Sequence, residues 1–122
     1  MAIAIVGAVF ATCAKPVDPI VAEVESARDR TVPPAGRIVS SYPLQRDRGL
    51  ARATWGIETE MAWSAYTEWV RPRLGEYRLV AQGRDRLLLS RQLEGDVYTL
   101  VLVEKPSSAS LRIEASFEAT PF

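Results

Sequence analysis

The sequence predicts an α+β domain: an antiparallel sheet of about five strands, in the order β-α-β-β-β-β, with one main helix packed on one face. Two observations carry this. Between Ala51 and Glu118 the chain alternates apolar and polar residues in several short runs, and Gly- or Pro-containing breaks separate the later ones. Between them, Met61 to Leu74 instead places its apolar residues at intervals of three and four, the period of a helix with one buried stripe. Breaks of two to four residues join antiparallel neighbours, because parallel strands need long crossovers. A chain of 122 residues is enough for one such domain.

The first strand is Ala51, Ala53, Trp55 and Ile57 alternating with Arg52, Thr54, Gly56 and Glu58. Thr59 is placed to cap the following helix, and Glu60 suits its positive N-terminal end. The helix stripe is Met61, Ala62, Ala65, Tyr66, Trp69, Val70 and Leu74; Pro72 distorts the last turn and Gly75 ends it. Tyr77, Leu79 and Ala81 make the next strand, turning at Gly83-Arg84-Asp85 into Leu87, Leu89 and Leu93. After Glu94-Gly95-Asp96, the run Val97–Val103 is almost wholly apolar, which predicts a central strand. Pro106-Ser107-Ser108 turns into Leu111, Ile113, Ala115 and Phe117, and this last strand pairs antiparallel with the first if the two meet.

Upstream, residues 37–122 form the predicted globular domain and 13–36 a tether. The tether holds one possible short helix, begun by Asp18-Pro19, with Ile20, Val21, Val24 and Ala27 at helical spacing. Pro33-Pro34-Ala35-Gly36 closes it. Residues 1–11 are apolar, with no charge before Lys15, and residues 1–12 form a signal-peptide-like segment. A helix over residues 1–14 would be about 21 Å long, short of the roughly 30 Å hydrocarbon core of a bilayer. The stretch has the length of a signal-peptide apolar region.

Phe10-Ala11-Thr12-Cys13 resembles a bacterial lipobox, the cleavage motif of envelope lipoproteins. The resemblance implies removal of residues 1–12, acylation of Cys13, and a membrane anchor through those acyl chains. It departs from the family at Phe10, where leucine is favoured, at Thr12, where glycine or alanine is favoured, and in lacking basic residues before the apolar run. Ala14, rather than aspartate, follows the cysteine, which in the family implies an envelope protein facing the periplasm, sorted to the outer membrane. The competing interpretations are a buried apolar segment with Cys13 as a small core residue, or a truncated membrane anchor.

Composition narrows the chemistry. There is no histidine and only one cysteine, so the commonest general base, the commonest metal ligand and any intrachain disulfide are missing. No metal site, cofactor or catalytic set is expected. The formal net charge is zero, without the basic footprint of a nucleic-acid partner. Lysine occurs only at Lys15 and Lys105, so arginine supplies nearly all the positive charge. Trp55, Trp63 and Trp69 are expected in the core, with Trp63 the most exposed. Arg52, Arg78, Arg91 and Arg112, interspersed with Glu58, Glu114 and Glu118, are expected on a mixed, solvated sheet surface.

One feature suggests binding. Val97, Thr99, Val101 and Val103 share one face of their strand, with Val80 and Leu88 as candidate neighbours. With the helix on the other face, they form an exposed apolar strip, a common mark of a partner site. The alternative is that the N-terminal helix or Ile38–Leu44 folds over them. The functional expectation is a lipid-anchored, non-enzymatic binding or accessory subunit of a membrane-associated assembly, with an envelope protein as partner. The alternative is a carrier of a small hydrophobic ligand held near Leu100, Leu102 and Trp69.

Overall fold

The computed structural model describes residues 18–105 and 111–121. Asp18 caps the first helix, α1 (Pro19–Thr31): its carboxylate accepts from the Ile20 amide at 2.9 Å, and Pro19 occupies the first turn, where its missing N–H costs nothing. Strands β1 (Arg37–Asp47) and β2 (Leu50–Thr59) follow as a hairpin, then helix α2 (Trp63–Arg73). Four further strands complete the chain: β3 (Arg78–Gln82), β4 (Arg86–Leu93), β5 (Asp96–Lys105) and β6 (Leu111–Pro121).

All six strands form one antiparallel sheet in the order β1-β2-β6-β5-β4-β3. The first predicted strand, β2, pairs antiparallel with the last, β6, in unbroken register from Ala51↔Ala119 to Thr59↔Leu111. The near-continuous apolar run is β5, between β6 and β4.

The count differs from the sequence expectation: six strands and two helices, not about five strands and one main helix. The additional strand is β1. As an edge strand it has mostly exposed residues, so Ser40, Ser41, Pro43 and Gln45 write no alternation into the sequence. Its turn is nevertheless well specified. Arg48 and Gly49 have φ of 51° and 83°, the paired positive values of a two-residue hairpin turn, and Glu94–Gly95 repeat them at 52° and 86°.

The second helix is α1. It supplies Val24, Ala27 and Thr31 to the core, although the sequence places it in the tether ahead of Arg37. Trp55 of β2 is 1% exposed and its indole N–H donates to Thr31 Oγ1 at 3.0 Å. The Tyr66 hydroxyl on α2 donates to the Thr31 carbonyl at 2.7 Å. These two bonds lock α1, α2 and β2 together, and they satisfy polar groups that would otherwise be costly to bury. Both helices therefore lie on one face, over Ala51, Ala53, Trp55, Ile57, Leu87, Leu89, Tyr98, Leu100, Leu102, Ile113, Ala115 and Phe117.

Helix α2 begins at Trp63, so Thr59 does not cap it; its hydroxyl accepts from the Met61 amide in the preceding turn. The buried side of α2 is Tyr66, Thr67, Val70 and the following Leu74, while Ala62 and Ala65 are exposed. Trp63 and Trp69 are both half-buried, with ring centroids 6.0 Å from that of Tyr66.

Candidate functional site

With both helices on one face, the other face of the sheet is the candidate site. Pleating sends alternate residues to it. On β5 these are Val97, Thr99, Val101 and Val103, all half-buried. The register gives their neighbours. Val101 lies between Leu88 and Ser116, and Val103 between Arg86 and Glu114; Thr99 lies between Ser90 and Glu118, and Val97 between Gln92 and Thr120. Leu88 thus joins the strip as expected. Val80 falls in a register break between Leu79 and Ala81 and projects at the edge, 50% exposed.

Neither proposed cover lies over this face. Helix α1 packs on the opposite side, and Ile38–Leu44 is part of β1 within the sheet. Among the described residues, nothing is layered on the strip.

The charges around it are unevenly distributed. Toward β1, Glu58 takes Arg37 at 2.9 Å and Arg112 at 3.4 Å, and Glu118 takes Arg52 at 2.9 Å. Glu114 takes Lys105 at 3.7 Å. The hydrogen bond from Arg37 is the main reason the Glu58 carboxyl is held below its ordinary range, with Arg112 adding to it. Pairs this exposed contribute little stability individually, but they neutralise that half of the face. Toward β3, Arg78 and Arg86 make no salt bridge among the described residues.

Arg91 departs from the expected sheet surface. It lies on the helix-covered face and donates to both carboxylate oxygens of Glu23, at 3.0 and 3.1 Å. The Tyr77 hydroxyl donates to the same carboxylate at 2.5 Å, and Arg30 reaches it at 3.5 Å. Arg30 also pairs with Glu76 and donates to the Arg73 carbonyl, while Arg73 donates back to the Arg30 carbonyl. This cluster clamps α1 against β4 and the segment after α2. Every oxygen of Glu23 is engaged by groups of the same chain, which suits a structural anchor rather than acid–base chemistry.

Leu100 and Leu102 are fully buried in the packed core. A depression of about 440 Å³ lies elsewhere, between the end of α2 and the β3–β4 edge, with Leu74, Tyr77, Leu79 and Leu89 among its lining. Cys13 lies outside the described residues.

No family model and no curated protein matches the chain. One solved structure is similar to it. That structure is LpqN, involved in cell envelope biogenesis of Mycobacterium tuberculosis, at 12% identity over 74% of this chain and 68% of that one, with a TM-score of 0.40.

Proposed function

We propose that the chain is a lipid-anchored cell-envelope protein that works by binding, as a non-enzymatic accessory subunit of a membrane-associated assembly. Acyl chains on Cys13 hold it at the membrane, facing the periplasm, and the open sheet face receives an envelope protein. The observation supporting docking is the one-sided placement of the helices, which leaves Val97, Val101, Val103 and Leu88 without a covering layer among the described residues. A sheet normally buries one face, and a second face carrying an apolar strip is a common partner surface. The lipobox resemblance supports the anchor, since two or more acyl chains hold a protein stably at a bilayer.

Two measurements on the full-length protein, extracted in detergent from its native host, test the two halves separately. Intact mass is expected to show a chain starting at Cys13 with added acyl mass. An unmodified chain retaining Met1 overturns the anchor. Affinity purification of wild type and Val101→Glu is expected to recover a partner with the first and lose it with the second. The variant's urea midpoint should stay near wild type, because Val101 is on the solvent side of β5. Equal recovery by both proteins overturns docking at the strip.

A further inference from the structure

The sheet is also unfinished at one edge. Strand β3 pairs only with β4 and is exposed at all five residues. Leu79 and Val80, 37% and 50% exposed, are among the exposed large hydrophobic residues. The opposite edge, β1, is guarded by Pro43 and two register breaks, devices that discourage pairing with another chain. β3 has one register break and no proline.

What lies beside β3 defines a partner. The groove of about 440 Å³ runs between the end of α2 and the helix side of β3, with Leu74, Tyr77, Leu79 and Leu89 among its apolar lining and Thr67, Glu68, Arg71 and Gln82 as polar lining. Arg78 stands on β3, Arg84 in the turn after it and Arg86 at the start of β4, and like Arg71 they make no salt bridge among the described residues. The nearby acids are fewer: Glu68 on α2, Asp85 in the turn, and Glu76, which Arg30 already holds.

We propose that β3 accepts an extended acidic segment of a partner protein as a seventh strand. The outward-facing N–H and C=O groups of β3 supply the pairing. Five residues give a contact roughly 17 Å long. Because side chains alternate along the added strand, its apolar residues enter the groove and its carboxylates face Arg78 and Arg86, with Arg71 and Arg84 at the rim. Arg86 borders the strip beside Val103, but the β3 edge and its groove lie two strands away from Val101, so either surface can fail alone.

The test uses the full-length, detergent-extracted protein and three capped synthetic peptides alternating Val with Glu, Gln or Lys. Amide hydrogen exchange and dye-labelled peptide titration are the readouts. The Glu peptide is expected to slow exchange within residues 78–82 at least tenfold. It should bind at least tenfold more tightly than the Gln or Lys peptide at low salt, the advantage shrinking as salt is added. Arg78→Ser/Arg84→Ser/Arg86→Ser should abolish the preference, whereas Val101→Glu should leave it. Absence of β3 protection, equal binding of the three peptides, or protection confined to residues 97–103 each overturns the proposal. Protection of β3 by detergent alone, unchanged by peptide, also overturns it and assigns the groove to a small apolar molecule.

Discussion

Replacing Glu23 with alanine is expected to loosen α1 from the rest of the domain. The carboxylate is 9% exposed and receives Arg91 twice, Tyr77 and, at longer range, Arg30. Its removal leaves the Tyr77 hydroxyl, on a residue 6% exposed, without its acceptor. It also strands two guanidinium groups whose side chains are 23% and 19% exposed. Breaking a buried ion pair from one side costs about 3–5 kcal/mol, and an orphaned buried hydroxyl about 1–3 kcal/mol. Here the arginines retain some access to water, and Arg30 keeps Glu76, so the expected loss is about 2–4 kcal/mol. With a urea slope of about 2 kcal/mol per molar, the midpoint should fall by about 1–2 M. Arg91→Ala alone should cost less, since Glu23 then keeps Tyr77 and Arg30. The double variant should lose less than the sum of the two, with a coupling of about 1–3 kcal/mol. Urea denaturation followed by tryptophan fluorescence measures all three, Trp55 reporting because it packs against α1. A Glu23→Ala loss under about 0.5 kcal/mol, or additive single variants, would refute the clamp.

Trp55→Phe removes the indole donor and leaves Thr31 Oγ1 without that partner; a loss of about 1–3 kcal/mol is expected from the bond and the missing ring volume together, read from the urea midpoint. Gly95→Ala places a Cβ at φ of +86° with open space around it, so about 1 kcal/mol of backbone strain is expected without a packing clash, again from the urea midpoint. Glu58 and Glu76 are held below the ordinary carboxylate value of 4.5, chiefly by hydrogen bonds from Arg37 and Arg30. Their contribution is present above that value and disappears as pH falls through the lower folded values, so thermal midpoints should drop on acidification below about pH 4.5 and recover on return. Burial raises Tyr66 and Tyr77 above the ordinary value of 10.0, and for Tyr77 the Glu23 carboxylate adds to the rise. The stability linked to these phenols is complete below pH 10 and is lost as pH climbs above it. Ultraviolet titration should therefore show both ionising only together with unfolding, and ionisation in the folded protein at pH 10 would contradict their burial.

The parts of the fold that bury one clean side were legible in the sequence. Ala51, Ala53, Trp55 and Ile57, and likewise Ile113, Ala115 and Phe117, are inward on adjacent strands, because each alternates with residues that face the open side. β1 was not legible, since an edge strand with little buried surface imposes no apolar period. The role of α1 was only half legible: its cap and spacing signal a helix, but its inward residues include Glu23 and Thr31, whose burial depends on Arg91, Tyr77, Trp55 and Tyr66 from distant positions. For the same reason Arg91 could not be told from the surface arginines. In the candidate site, Val97–Val103 could be assigned to one face from alternation alone. The accumulation of unpaired arginines around β3 required the strand order.

The position of β6 also bears on how the chain folds as it is made. It is the last of the six strands, yet it lies between β2 and β5, and its pairing with β2 joins residues as far apart as Ala51 and Ala119. A nascent chain complete only to Lys105 holds two separate hairpin ribbons, β1–β2 and β3–β4–β5, with no strand to join them. The two ribbons cannot join into one sheet beneath the helices until Ile113, Ala115 and Phe117 are in place between them. Such non-local closure delays completion of the sheet until β6 has been made, and predicts refolding on the millisecond-to-second scale of non-local β topologies. Until that closure, the ribbons present open edges to any chaperone or transport channel that requires an unfolded client.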